Sequence, residues 1–88
     1  MIMWYVKKPI PVEAFCPAED VAPPWFTQHP FKMILSNDDG PNQIIISTIE
    51  GDMTCYETDY IIRGIDGELY PCRRDIFLKT YDKIEKDN

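Results

Sequence analysis

Three cysteines and a single histidine are the side chains of this chain with the widest chemical repertoire. A catalytic cysteine needs a thiolate, a nearby base and a group that orients the base. Cys72 precedes Arg73-Arg74, whose guanidinium groups can lower a thiol pKa, and it is therefore the best candidate for a reactive thiol. His29 is the only imidazole that could act as the base. Because cysteine is among the residue types most often buried, we interpret Cys72 as a packed structural residue.

A metal site would have to gather Cys16, Cys55, Cys72 and His29 from four separate segments. No two of them have the two-residue spacing of a zinc knuckle, so the sequence predicts no metal and no cofactor. An odd number of widely spaced cysteines with no secretory leader ahead of them is typical of free thiols in a reducing cytosol.

Fifteen acidic residues make accidental carboxylate pairs certain. Asp38-Asp39 stands in a run of turn-forming residues, and Glu50 and Asp52 flank Gly51. Turn formation accounts for these positions without catalysis. The four glycines are isolated and make no phosphate cradle. We therefore predict no catalytic residue and no enzymatic activity.

Binding is the alternative use of the polar and aromatic side chains. Trp25 could stack on a nucleotide base while arginines contact its phosphates. Exposed carboxylates could instead face a basic protein, with Trp25 as a buried anchor. The candidate binding residues are Trp25, Asp38, Asp39, Glu50, Asp52, Glu57, Arg63, Arg73 and Arg74.

The net charge of −6 narrows the class of partner. An acidic surface repels phosphate backbones, so direct binding of nucleic acid is disfavoured. The same surface can imitate nucleic acid toward a basic, nucleic-acid-binding protein. No apolar run approaches the ~18 residues of a membrane span, so we expect no membrane association.

The first half of the chain predicts two strands and a helical turn. Residues 10–15 alternate in polarity and predict an edge strand, because Pro11 lacks a backbone donor. Pro23-Pro24 predicts the start of a single helical turn. Residues 31–35 predict a further strand, and residues 36–42 are almost entirely turn formers.

The next segment predicts a β-hairpin that is apolar on both faces. Residues 43–49 are rich in β-branched side chains, and a three-residue turn at 50–52 leads into residues 53–56. That turn would place Ile45 and Ile49 on one face with Met53 and Cys55. A hairpin of this kind belongs in a covered sheet or a small closed barrel.

A second hairpin and a helix complete the chain. Residues 60–63 and 68–71 predict strands around a two-residue tip at Asp66-Gly67, and residues 74–79 predict a helix followed by an extended piece at 80–84. The hairpin's core face would carry Tyr60, Ile62, Leu69 and Pro71. The expected fold is α+β: one compact domain over residues 1–84 with a frayed tail at 85–88. It would be mostly an antiparallel sheet or a partly closed barrel of five to six strands, with one or two short helices.

The stretch DYIIRGIDGELYPCRRDIFLKTY, residues 59–81, resembles the end of a family of small proteins encoded by tailed bacteriophages and prophages. That family ends in a pattern close to PGDYIIKGVKGEFYPCKPDIFEKTYE. Lys7-Lys8-Pro9 with Glu13-Ala14-Phe15, and residues 48–51, are similar to the family's opening and central hairpin. Glu57-Thr58 replaces the usual Pro-Gly, and Arg73-Arg74 replaces Lys-Pro. The resemblance implies a phage or prophage setting and carries over no reaction and no catalytic residue.

The leading hypothesis is therefore a non-enzymatic phage or prophage accessory protein that acts by binding in the cytoplasm of an infected or lysogenic bacterium. Its most concrete form is a counter-defence protein that inhibits a host immune factor through an acidic surface. Two alternatives stay open: a small-molecule binder that sequesters a nucleotide signal, and a self-associating structural or regulatory phage protein. The first predicts at least two arginines converging on an aromatic pocket. The second predicts a homo-oligomer.

Overall fold

The computed structural model describes residues 1–85 of the 88-residue chain. Six antiparallel strands and two short helices confirm the expected α+β class. The strands form two separate three-stranded sheets in place of a partly closed barrel. The elements are β1 (Glu13–Phe15), α1 (Pro24–Thr27), β2 (Phe31–Ile34), β3 (Gln43–Thr48), β4 (Gly51–Tyr56), β5 (Tyr60–Arg63), β6 (Leu69–Cys72) and α2 (Arg74–Thr80).

The two sheets pack face to face around one apolar core. The first has the strand order β1-β5-β6 and the second has the order β2-β3-β4, with β6 lying against β3 and β4. Side chains from both inner faces and from α1 meet there, because alternate residues of each strand point inward. The core consists of Phe15, Phe26, Ile44, Ile46, Cys55, Ile61 and Leu69.

The register of the β3–β4 hairpin differs from the prediction by three residues, because Met53 pairs with Ile46 and not with Ile49. Thr48 pairs with Gly51, so the turn residues are Ile49 and Glu50 and not 50–52. Gly51 has a φ of 100°, a left-handed conformation that closes a hairpin turn and that glycine adopts without strain. Side chains alternate with a period of two, so a shift by an odd number of residues exchanges the faces on which side chains meet their cross-strand neighbours. Ile49, which was predicted to share a covered face with Met53 and Cys55, lies in the turn and is 85% exposed.

The faces of β3 and β4 follow from this register. Ile44 lies opposite Cys55 and Ile46 lies opposite Met53, so these four residues share the inner face. The prediction had placed Ile45 on that face. Both Ile44 and Ile46 are almost completely buried.

The β5–β6 hairpin also has a longer connection than expected. Arg63 pairs with Leu69, and the amide of Gly64 donates to the carbonyl of Glu68 at 2.7 Å. Gly67 takes the left-handed conformation, with a φ of 85°. The predicted two-residue tip is wrong, because Gly64 pairs with Glu68 and leaves three residues, 65–67, in the tip. Tyr60 and Ile62 therefore share a face with Tyr70 and Cys72, while Ile61, Leu69 and Pro71 lie on the other face.

The two helices lie where the sequence placed them. α1 begins after Pro23, whose fixed φ suits the residue before a helix. α2 begins after Arg73 without a side-chain cap, and Tyr81 ends it. Phe77 of α2 stacks on Tyr60 at 3.9 Å between ring centroids and on Tyr81 at 4.9 Å. This stack attaches α2 to the sheet.

The ends of some elements differ from the expectation. β1 begins at Glu13 and not at residue 10. Residues 80–84, predicted as an extended piece, join no sheet: Thr80 ends α2, and residues 81–85 are in neither a helix nor a strand. Of the tail predicted at 85–88, residues 86–88 lie outside the described residues.

Candidate binding surface

The loop that connects β2 to β3 is held by its own polar side chains. The carboxylate of Asp38 accepts hydrogen bonds from the hydroxyl of Ser36 at 2.7 Å and from the amide of Gly40 at 2.8 Å. The amide of Ser36 donates to the side-chain oxygen of Asn42 at 2.8 Å. A turn built in this way explains why Ser, Asp and Asn cluster in this segment. The loop is therefore ordered before any partner binds, with the exposed Asp39 at its tip.

Hydrogen bonds hold the pKa of the Asp38 carboxyl below its ordinary value of 3.8. The Ser36 hydroxyl is the largest cause, followed by the backbone N–H of Gly40. Both donors favour the ionised carboxylate. Asp38 is therefore a fixed negative charge at neutral pH, although it is fully exposed to water.

Acidification is expected to loosen this loop. The pKa of Asp38 is lower in the folded chain, so its stabilising contribution is complete above pH 3.8 and is lost as the pH falls through the lowered pKa. The amide resonance of Gly40, followed by NMR from about pH 6 to about pH 2, should shift as its acceptor is protonated. In Asp38→Asn the side-chain oxygen still accepts but does not titrate, so the shift should be absent. An equal shift in that variant would contradict the assignment.

Glu57 lies at the same end of the sheet as the acidic loop. Its side-chain oxygen accepts a hydrogen bond from the amide of Asn42 at 3.1 Å, and its own amide donates to the carbonyl of Asn42 at 2.9 Å. Asn42 precedes β3 and Glu57 follows β4, so the antiparallel pairing brings the two positions together. Asp38, Asp39 and Glu57 therefore form one acidic cluster, although up to 19 positions separate them in the chain.

An open groove of about 450 Å³ lies beside this cluster. Its apolar residues include Leu35, which is 70% exposed, and Tyr56 and Ile34, which are 48% and 45% exposed. Asp38 contributes to the wall, so an apolar floor meets a negatively charged rim. The groove is lined by Ile34, Leu35, Ser36, Asn37, Asp38, Gly40, Pro41, Gln43 and Tyr56.

The acidic residues that were predicted to form one binding surface do not all lie together in the structure. Glu50 and Asp52 lie in and after the β3–β4 turn, at the opposite end of these strands. Asp52 and Glu57 are five positions apart along an extended strand, which is roughly 17 Å. The expected group of Glu50, Asp52 and Glu57 is therefore divided between two ends of the sheet.

Each of the three candidate arginines already forms an ion pair within the chain. Arg63 contacts Glu13, its cross-strand neighbour, at 3.2 Å. Arg73 contacts Asp75 at 2.9 Å, and Arg74 contacts Glu19 at 2.8 Å. Exposed pairs of this kind contribute little to stability, about 0–1 kcal/mol each.

The arginines do not converge on a common pocket. A second groove of about 300 Å³ includes Arg63 but neither Arg73 nor Arg74. Arg74 lies near the other end of β5, where its side chain contacts the carbonyl of Thr58 and lies over the ring of Tyr60. No pocket described in residues 1–85 has the two-arginine arrangement that the nucleotide hypothesis predicts.

Trp25 packs within its own domain. Its indole N–H donates to Glu13 at 3.0 Å. Its ring meets Phe15 edge to face, with centroids 5.5 Å apart. Glu13 thus contacts both Trp25 and Arg63, and ties α1 to the first sheet. Sequence reasoning did not single out Tyr56, which lines the groove described above; the signal available for it was its place next to the acidic Glu57.

The cysteines are embedded in the fold. The thiol of Cys16 lies 3.5 Å from the carbonyl of Thr58, and Arg74 contacts the same sulfur at 3.6 Å. Burial raises the pKa of the Cys55 thiol to about 11, and the nearby Asp59 adds to the shift. Burial also raises the pKa of Cys72, again with a contribution from Asp59. The idea that neighbouring arginines lower the pKa of Cys72 is therefore wrong.

His29 has no contact with any of these thiols. Its Nε2 lies 2.6 Å from the carbonyl of Ser47, where it links α1 to β3. In the part of the chain that the structure describes, no three His, Cys, Asp or Glu side chains are grouped so as to hold a metal ion. Asp59 likewise has a structural role, since it accepts hydrogen bonds from the amides of Tyr56 and Arg74.

Comparisons with protein-family models, with curated proteins and with solved structures found no match. Neither helix within residues 1–85 has the length and apolar character needed to cross a bilayer.

Proposed function

We propose that this chain is a phage or prophage accessory protein that acts by binding a host protein, in its most concrete form a counter-defence protein that occupies a basic surface of an immune factor. The observation that carries the proposal is the groove with an apolar floor and an acidic rim at one end of the second sheet. The phage-like residues 59–81 support the setting.

The groove has the two properties that a protein-binding surface needs. Leu35 and Tyr56 offer exposed apolar area in its centre, where a partner's apolar side chain would be buried. Asp38 lines the groove, and Asp39 and Glu57 add negative charge at the same end of the sheet. Charge of this sign accelerates encounter with a basic partner and orients it, while the apolar centre supplies most of the affinity.

The order of the acidic loop favours binding further. Hydrogen bonds from Ser36 and Gly40 hold Asp38 in place in the free protein. A loop that is ordered in advance loses less conformational entropy when a partner binds. Substitution at Gly40 would disturb this order, because an added Cβ would lie 2.9 Å from the Asp38 carboxylate oxygen.

The surroundings of the ionisable groups support a role without turnover. Cys55 and Cys72 have raised thiol pKa values and so stay protonated at neutral pH, which weakens them as nucleophiles. The cytoplasm of an infected or lysogenic bacterium is the compartment in which such a protein would meet an intracellular immune factor.

Affinity capture from host lysate at low salt tests the proposal with a matched pair of variants. Asp39→Lys reverses one charge in the loop that forms part of the groove wall, and Glu50→Lys makes the same kind of change at the opposite end of the sheet. We expect the original chain and Glu50→Lys to retain a specific basic partner. Asp39→Lys should lose most of it, with association about tenfold slower or more.

The captured protein must also be inhibited. Once purified, an immune factor should lose its activity when the chain is added in stoichiometric amount, and Asp39→Lys should inhibit less than Glu50→Lys. Two results would refute the proposal: no specific partner at low salt, or equal losses for the two charge reversals.

A further inference from the structure

The first six residues form an apolar arm that the domain does not cover. The arm has the sequence MIMWYV, and every one of its side chains is at least 62% exposed. Trp4 and Tyr5, the two largest, are 94% and 91% exposed. Contiguous apolar surface of this kind is uncommon on a soluble domain and marks a contact site.

The arm leaves the domain from a fixed point. The ammonium group of Lys7 contacts the hydroxyl of Tyr81 and lies 4.8 Å from the centre of its ring. Tyr81 is stacked on Phe77, so this anchor is part of the folded domain. Six residues in extended form reach roughly 20 Å beyond it.

The β2 strand offers an open edge for strand addition. The amide of Ser47 donates to the carbonyl of Pro30, and the amide of Glu57 donates to the carbonyl of Asn42. Along an antiparallel strand, the backbone N–H and C=O groups of successive residues point alternately toward the partner strand and away from it. Both hydrogen bonds indicate the same alternation, in which Gln43 and Ile45 of β3 point toward β2. The backbone groups of Lys32 and Ile34 therefore point toward β3, and those of Phe31 and Met33 point the other way. Since β2 is an edge strand, the groups of Phe31 and Met33 point away from the sheet.

Both faces of the sheet carry exposed apolar side chains along this edge, and Lys32 is the basic residue on the outer face. Phe31 and Met33 lie on the inner face and are 39% and 48% exposed, and Ile34 lies on the outer face at 45%. In an extended arm, side chains also alternate between two faces, and all six are apolar. An added strand of this composition would extend the apolar surface on both sides at once.

The charges of the arm and the domain are complementary. The first eight residues carry Lys7 and Lys8 and no acidic group, so the remaining eighty carry seven basic and fifteen acidic residues, a net charge of −8. In a parallel alignment with β2, these two lysines would come level with the loop that carries Asp38 and Asp39.

We propose that residues 1–6 of one copy add as a strand to the β2 edge of a second copy, and that reciprocal exchange of the two arms gives a symmetric dimer. Trp4 and Tyr5 each bury roughly 150–250 Å² in such contacts. Two arms and the surfaces that they cover then remove roughly 1,200–2,000 Å² from water, which is the size of a stable interface.

At the opposite edge of the same sheet, one outward backbone donor already has a partner within the chain. The amide of Tyr56, on the outer edge of β4, donates to the carboxylate of Asp59 at 2.9 Å. Thr54 lies on the same strand, and its backbone groups also point outward by the same alternation.

Proline removes one backbone donor without disturbing the inner ladder at such a position. Met33→Pro and Thr54→Pro are therefore matched variants of the two edges.

Sedimentation of the purified chain tests the proposal. We expect a dimer for the original chain and for Thr54→Pro, and a monomer for Met33→Pro and for a chain that lacks residues 1–6. Near-native circular dichroism would show that the variants are folded. In a Trp25→Phe background, the fluorescence of Trp4 should move to shorter wavelength on concentration, because the indole becomes buried.

Three outcomes would overturn the proposal: a monomeric original chain at high micromolar concentration, dissociation by Thr54→Pro in place of Met33→Pro, or a dimer that persists without residues 1–6. Arm docking within one chain would also give a monomer and would count against it. These readouts use the purified chain alone, so they do not depend on the host partner.

Discussion

Ile46→Ala is expected to lower the free energy of unfolding by about 2–5 kcal/mol. Ile46 has no exposed surface and lies in the core between the two sheets, opposite Phe31 of β2. Removing its side chain therefore leaves a cavity that the surrounding strands can close only in part. Small domains have only about 5–15 kcal/mol of stability in total. This single change should therefore remove a large share, as measured by urea unfolding.

Ile49→Ala is the matched control for this change. It removes the same atoms from a turn position that is 85% exposed. We expect a change within about 0.5 kcal/mol. Similar losses for the two variants would mean that the register of the β3–β4 hairpin is wrong, because the two residues would then have comparable environments.

Tyr56→Ala is expected to weaken binding of the proposed basic partner by about 2 kcal/mol or more, which is roughly a 30-fold rise in Kd. Tyr56 is 48% exposed at the groove beside the acidic cluster, so its ring is available to a partner. Its backbone amide keeps the hydrogen bond to Asp59 in the variant, so the fold should be retained. Titration calorimetry with the purified partner measures the effect.

Met53→Ala is the control on the same strand. Met53 is 40% exposed but lies on the opposite face of β4, away from the groove. Its Kd should stay close to that of the original chain. If Met53→Ala weakens binding as much as Tyr56→Ala does, the partner contacts the other face and the groove is not the site.

The sequence predicted the type and place of most elements. Proline pairs mark the start of α1, β-branched residues mark β3, and turn residues mark the loop at 36–42. These signals are local, because they depend on backbone preferences of neighbouring residues. The register of the hairpins was predicted less well: a glycine shows that a turn is near, but its position within the turn depends on the pairing of the strands.

The candidate site was predicted in part. Asp38, Asp39 and Glu57 were proposed and lie together, whereas Glu50 and Asp52 do not join them. The apolar floor went unrecognised because exposed apolar residues have no distinctive sequence pattern. The apolar arm was also passed over, since its exposure follows from the folded domain and not from its composition.

Composition and local pattern alone determined the fold class, the single core, the acidic charge and most strand positions, because these follow from residue type and from near neighbours along the chain. Tertiary structure decided which face of each hairpin is buried, since side chains alternate with a period of two and one residue of register reverses them. It also decided which charges meet. Arg74 contacts Glu19 across 55 positions, and Glu57 contacts Asn42 across 15, because strand pairing and sheet packing bring distant segments together.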